Sequence, residues 1–184
     1  MKKYLFGLVV LLSLVALYIF LSYNGLVSSN EMADSQWAQV ETQYQRRFDL
    51  IPRVVESVKG FATQEKTIFA DIAEARTRYS GAEKIEDKVR AANQVESILG
   101  RLLVITENYP DLKSSELFKG LLVELEGAEN RISVERRRYN DTIREYNLST
   151  KRFPSFLVAS YFGFEERSYF ESAPGAENAP EVGF

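Results

Sequence analysis

Apolar residues follow two regimes along this chain. From Tyr4 to Tyr23 they are nearly continuous, and YLFGLVVLLSLVALYIFLSY carries no charge. From Trp37 onward they recur every three or four residues. Trp37, Val40, Tyr44, Phe48, Ile51, Val55, Val58, Ala62, Glu65, Phe69, Ile72, Arg76 and Tyr79 keep a single phase. That spacing is the mark of a helix with one buried face. Pro52 interrupts it chemically but not in phase. Proline removes a backbone donor and clashes with the preceding turn. Two helices meeting at Pro52, with Asp49 as N-cap, would explain its position. The unbroken stripe favours the other reading, one long helix kinked at Pro52.

A second stripe runs from about Glu83 to Glu107: Ile85, Val89, Ala92, Glu96, Leu99, Leu103 and Thr106, with Val95, Ile98, Leu102 and Ile105 beside it. Asn108-Tyr109-Pro110 ends it, because proline cannot continue a helix and holds Tyr109 extended. A third stripe, from about Ser114 to Thr150, passes through Phe118, Leu121, Leu125, Ala128, Ile132, Glu135, Tyr139, Thr142 or Ile143, and Tyr146. Phe153-Pro154 closes it and opens a short helix, Ser155 to Tyr161, whose Phe156, Leu157 and Tyr161 are placed to cover one end of the bundle. From Glu165 the helical period is lost, and prolines, glycines and small residues predict an extended or disordered tail. Short connections at 80–82 and 108–113 force antiparallel neighbours. The expected fold is all-α: an N-terminal transmembrane helix, then an antiparallel up-down bundle, coiled-coil-like in its packing, of three long helices and one short C-terminal helix. The boundaries are 1–23 for a transmembrane signal-anchor, 24–35 for a polar linker, 36–164 for the bundle and 165–184 for the tail; the first soluble helix begins near Ser28–Asn30 or, without a break, runs on from the membrane helix.

Residues 4–23 would make a helix of about 30 Å, enough to cross the hydrocarbon core of a bilayer. Contact with membrane lipid is assigned to this segment. A cleaved signal peptide would have a shorter apolar core and a small-residue cleavage site, of which Val27 and Ser29 are a poor version, so the length favours an uncleaved anchor. Lys2 and Lys3 precede the segment, and the first cation after it is Arg46. The positive-inside rule then leaves the N-terminus in the cytoplasm and the bundle outside, in a single-pass cell-membrane protein.

Composition removes whole classes of chemistry. Among 184 residues there is no cysteine and no histidine. Disulfides, thiol nucleophiles, thiolate metal sites, imidazole bases and histidine-ligated metals are therefore excluded. The 23 basic and 26 acidic residues give a net charge of −3; with Lys2 and Lys3 set aside, 21 basic residues remain, for −5 beyond the anchor. A nucleic-acid partner would want a basic face, and this balance argues against one.

Four polar constellations remain. Arg46-Arg47 beside Asp49 could meet anionic lipid head groups or an acidic partner, against a plainer solvated face with local pairing. Glu124, Glu126, Glu129 and Glu135 share one helix and could hold magnesium or calcium through oxygen alone, but solvated carboxylates are far commoner. Asn130 and Asn140 are poor mid-helix residues that would hydrogen-bond across helices. With Tyr139 and Tyr146 they define either a buried polar network or a binding groove lined by Asn130, Tyr139 and Tyr146. Arg136-Arg137-Arg138 reads as a solvated charge run. No phosphate loop, nucleophile elbow or acid–base dyad is present. No catalytic, cofactor-binding or metal-binding residue is nominated.

Several stretches together resemble the LemA family of bacterial membrane proteins. They are YNGLV at 23–27, QWAQVETQYQRRFDLIPRVVESVKGFA at 36–62, ENYPDLKSSELFKGLLVELEGAENRI at 107–132, YN at 139–140 and 146–147, RFPSFLVASYFGF at 152–164 and YFE at 169–171. The RRFDLIP and ENRI segments are its most specific parts. The resemblance implies an N-terminal membrane segment followed by an antiparallel helical bundle. It implies no established reaction and assigns no catalytic residue. Some members are associated with membrane metallopeptidases or envelope functions, which suggests that class as a partner. The expected role is a non-enzymatic, membrane-anchored interaction or scaffold protein of the bacterial envelope. The competing expectation is an envelope module binding a small molecule, lipid or glycan.

Overall fold

A computed structural model describes residues 1–59 and 66–170, apart from the Lys66 side chain. The predicted tail therefore lies outside the described residues from Glu171 onward. Those described form helices and connections, with no strand: α1 Lys2–Lys59, α2 Lys66–Gly81, α3 Ile85–Thr106, α4 Pro110–Ser114, α5 Glu116–Lys151 and α6 Ser155–Phe162. The expected all-α, antiparallel up-down bundle is the fold found. Two compact units divide it. One comprises Met1–Val40 and Glu135–Tyr169; the other comprises Glu41–Val134 with Phe170.

In the first unit, α1 opens with the apolar segment, long and apolar enough to cross a membrane and not buried inside the protein. The helix does not stop there. Residues 24–35, polar enough to read as a linker, are helical within α1, and Leu26 and Ala33 among them are buried. Leu26, Ala33, Trp37 and Val40 recur at steps of seven, four and three, so this stretch already carries a core face. The C-terminal half of α5 packs on it in the opposite direction. Gln36 Nε2 donates to Glu135 Oε2 at 2.9 Å, and the Trp37 and Tyr139 rings meet edge-on at 5.6 Å. Val158 and Ala159 of α6 close a small cluster with Leu26, against which Phe164 rests. α6 ends at Gly163, whose φ of 77° is the left-handed C-cap conformation that glycine adopts without a Cβ clash.

In the second unit, Pro52 lies inside α1. Phe48, Ile51, Val54 and Val58 are buried on both sides of it, and that packing holds the helix together where its own hydrogen bonding is weakened. The predicted single helix from Trp37 to Tyr79 is corrected in another respect. Along one straight helix Tyr44 and Tyr79 would stand about 50 Å apart. Their rings are 5.7 Å apart, and Phe48 and Tyr79 meet at 4.6 Å. With Lys59 lying over the Phe69 ring, α1 and α2 therefore run in opposite directions, and Ala62 and Glu65 of the stripe lie outside the described residues. Periodicity specifies which face is buried, not the direction of the chain. Two arms of a hairpin with facing stripes satisfy it as well as one rod does.

The other directions follow from side-chain pairs. Asp71 accepts from Arg101 at 2.9 Å and Gln94 from Arg78 at 3.3 Å, so α2 and α3 are antiparallel. Arg47 pairs with Glu129 and Arg53 with Glu124, so α1 and α5 are antiparallel as well. The core between them is Ala92, Val95, Ile98, Leu99 and Leu102 of α3 and Phe118, Leu121, Leu125, Ala128 and Ile132 of α5. The α5 residues follow the predicted stripe; on α3 the buried face is shifted toward Val95, Ile98 and Leu102, and the predicted Leu103 is exposed. Pro110 sits at the start of α4, where its missing N–H costs nothing.

Candidate functional site

The most unusual side chain in the second unit is Arg47. It keeps only 1% of its surface exposed. Its position explains why. Tyr44, Arg47, Ile51, Val54 and Val58 follow one another at steps of three, four, three and four, so Arg47 is in phase with the buried face. An isolated buried cation would be prohibitive, and the site supplies acceptors around it. Nη1 lies 2.5 Å from Glu129 Oε2 and 3.8 Å from Glu96 Oε2. Nη2 donates to the Ala92 carbonyl at 3.1 Å. The guanidinium carbon sits 5.3 Å from the centre of the Tyr44 ring, within cation–π range. Nε is buried without a hydrogen-bond partner. The solvated face expected for Arg47 is thus corrected: its helix phase and its carboxylate partners hold it inside. Arg46 is exposed, and Asp49 accepts from Gln45 rather than from an arginine.

Tyr79 stands beside this cluster with its ring against Phe48. Its hydroxyl is buried and has no hydrogen-bond partner. Burial, and secondarily the charge of Glu41, push its pKa up from the ordinary tyrosine value, so the phenol stays neutral. Glu41 itself pairs with Lys88. A guanidinium and a neutral phenol, both in a packed interior, can fix helix register.

The carboxylates of α5 are not drawn together. Glu124 faces Arg53 at 3.5 Å, Glu126 is exposed, and Glu129 faces Arg47. Glu135 accepts from Gln36 and Arg138. Among the described residues no group of three or more acidic side chains is placed to hold a metal ion.

In the first unit a polar clamp fastens the segment after α6 to α5. Asn147 is buried and reads the backbone of Arg167 twice: its Nδ2 donates to the carbonyl and its Oδ1 accepts from the N–H, both at 2.9 Å. The Tyr146 hydroxyl donates to the Glu165 carbonyl at 2.9 Å, and burial raises its pKa. Arg167 then reaches Asp34 of α1 with both guanidinium nitrogens, at 2.6 and 3.0 Å, and that hydrogen bonding raises its own pKa. Of the predicted network, Tyr139 and Tyr146 are buried, Asn140 is half-buried, and Asn130 is corrected to an exposed position. Tyr139 packs on Trp37 and Tyr146 on the Arg167 guanidinium, so neither ring lines an open groove. Asn147 stands in the second of the two YN pairs visible in the sequence, but its bonds to the Arg167 backbone, and Asp34 and Arg167 themselves, were missed. Asn147 directly follows a stripe residue, which was the available signal.

The expectation that Phe156, Leu157 and Tyr161 cover the bundle end is also corrected. All three are exposed, Tyr161 by 84%. α6 instead buries Val158 and Ala159, whose smaller side chains allow close approach to α1 at Leu26. Between α6 and the apolar segment lies a groove of about 720 Å³, lined by apolar side chains that include Leu14, Tyr18, Leu157 and Tyr161.

These features define a helical protein with one N-terminal apolar span and a bundle tied by the pairing of a buried arginine with a partly exposed carboxylate. The LemA family model matches residues 36–184, and the chain belongs to the LemA family. RRFDLIP and ENRI, the two segments that carried the resemblance, meet in the Arg47–Glu129 pair. The chain is similar to magnetosome protein MamQ of Magnetospirillum gryphiswaldense, at 26% identity over 90% of this chain and 71% of the relative. It is similar to magnetosome protein MamQ 2 of Paramagnetospirillum magneticum, at 24% identity over 86% and 68%. Protein LemA of Metamycoplasma hominis matches at 23% identity over 82% and 69%.

Proposed function

We propose that this protein is a non-enzymatic, membrane-tethered interaction scaffold of the bacterial envelope. The observation that carries the reading is the continuity of α1. Within one helix the chain passes from an apolar span to the buried face of Leu26, Ala33, Trp37 and Val40. An anchor joined to its cargo by an unbroken helix transmits position and orientation, which is what a scaffold needs. Arg47, Glu129, Asn147 and Arg167 support the reading too, because these polar groups are spent on internal pairing. Lys2 and Lys3 ahead of the span support a cytoplasmic N-terminus and an extracytoplasmic bundle. A membrane metallopeptidase is a fitting partner class for a bundle held at the membrane surface. Crosslinking in native membranes tests this: a recurrent protein partner is expected, and truncation before Glu171 identifies the tail as its ligand if the crosslink disappears. Absence of any partner, with substrate turnover by the purified full-length protein, would overturn the proposal.

A further inference from the structure

α6 is too apolar for a helix surrounded by water. Of its eight residues, SFLVASYF, Phe156, Leu157, Tyr161 and Phe162 are exposed. Phe153, just ahead of it, is 80% exposed. A contiguous apolar patch of this kind marks a surface that meets something other than water. Leu157 and Tyr161 are four residues apart, hence on one face of α6, and they line one wall of the 720 Å³ groove. The opposite wall is Leu14, Val15, Tyr18 and Ile19, four side chains of the apolar span. Tyr23 marks the end of that span and meets Phe162 at 4.8 Å and Phe164 at 5.8 Å. Leu14 precedes Tyr23 by nine residues, or about 14 Å of helix, close to half the thickness of a hydrocarbon core. The groove therefore opens at the depth of one leaflet, and an aromatic cluster rims it where tyrosine favours the interface. Just before α6, Arg152 is exposed and Lys151 is held by Glu166 at 2.7 Å, both suited to the head-group layer.

We propose that α6, with Phe153, is a second membrane-embedded element. It lies in the interfacial layer of the leaflet on the bundle side, with Leu157 and Tyr161 among acyl chains, and lipid tails fill the groove against α1. This rests on the reading of α1 as a membrane anchor. Its occupant is lipid because the groove is continuous with the surface that the span itself presents to the bilayer. The protein then meets the membrane through two elements, which fixes its rotation about the anchor as well as its depth.

The absence of native cysteine allows a clean test. Leu12→Cys, Leu157→Cys and Val123→Cys are each labelled with an environment-sensitive fluorophore in the full-length protein. They are reconstituted into phosphatidylcholine vesicles carrying brominated acyl chains. Loss of emission is expected at positions 12 and 157, from deep bromines at 12 and from shallow ones at 157, and none at 123. Tyr161→Cys repeats the measurement at a side chain outside the core, should Leu157→Cys fold poorly. Quenching at 12 but at neither 157 nor 161 overturns the proposal and leaves the anchor standing. Quenching at none of the three overturns the anchor as well. Shielding at 157 that appears only with two chains per nanodisc makes a second copy the occupant, and overturns it too.

Discussion

Removing the carboxylate of Glu129 strands a cation. Arg47 keeps 1% of its side-chain surface, whereas Glu129 keeps 38% and Glu96 keeps 44%. The two halves of the pair are therefore not equivalent. In Glu129→Ala, Arg47 retains the Ala92 carbonyl and a carboxylate at 3.8 Å, and nothing else charged. An uncompensated buried charge costs about 3–5 kcal/mol, and the residual acceptors place this one near 3 kcal/mol. In Arg47→Met an apolar chain of similar length fills the same space. Glu129 turns to solvent and the Ala92 carbonyl keeps its place in the helix, so the cost is about 1 kcal/mol. The double variant should cost no more than Arg47→Met alone, a coupling of about 3 kcal/mol. For a chain of this size, 1 kcal/mol moves Tm by about 2–4 °C, so Glu129→Ala should lower it by about 6–12 °C. Thermal melts of the full-length protein in nanodiscs, followed by circular dichroism at 222 nm, measure this. Glu124→Ala is the control: its partner Arg53 is 57% exposed, and such pairs contribute about 0–1 kcal/mol. Additive effects, or a larger loss for Arg47→Met than for Glu129→Ala, would refute the reasoning.

Further outcomes follow from three single groups. Tyr79→Phe should raise stability by about 1 kcal/mol, because it deletes a buried hydroxyl with no partner. The raised pKa of Tyr79 makes its contribution intact below pH 10.0 and lost as the pH climbs above it, so alkaline melts of Tyr79→Phe should fall less steeply than those of the parent. Asn147→Ala removes both hydrogen bonds to the Arg167 backbone and should cost about 2 kcal/mol, read as faster tryptic cleavage at Arg167. Gly163→Ala places a Cβ on a residue at φ 77° and should cost about 1 kcal/mol, read by thermal melt.

The fold was legible wherever a stripe decides burial. Trp37, Val40, Tyr44, Phe48, Ile51 and Val58 are buried as their spacing required, and so are Ala92 and Leu99 of α3 and Phe118 to Ile132 of α5. Direction was not legible. The Tyr44–Tyr79 contact needs a reversal that a one-dimensional period does not encode. Polar chemistry was harder still. Arginine is rarely fully buried, so Arg47 read as solvated, although its phase with Tyr44 and Ile51 was in view. Its partner Glu129 lies 82 residues away, beyond any local pattern. The same limit hid the Asp34–Arg167 pair, 133 residues apart. Residues 24–35 read as a linker because they are polar, yet polar residues cover the outer face of any surface helix.

Proximity labelling in living cells addresses the scaffold reading most directly, because it reports sidedness and neighbours together. A labelling enzyme is fused after Phe184 in one strain and ahead of Met1 in another, with residues 1–35 alone as the anchor control. The account predicts that the Phe184 fusion marks a reproducible set of envelope proteins beyond those marked by the control, while the Met1 fusion marks cytoplasmic proteins. Cytoplasmic labelling from Phe184, or a set no different from the control's, would contradict it.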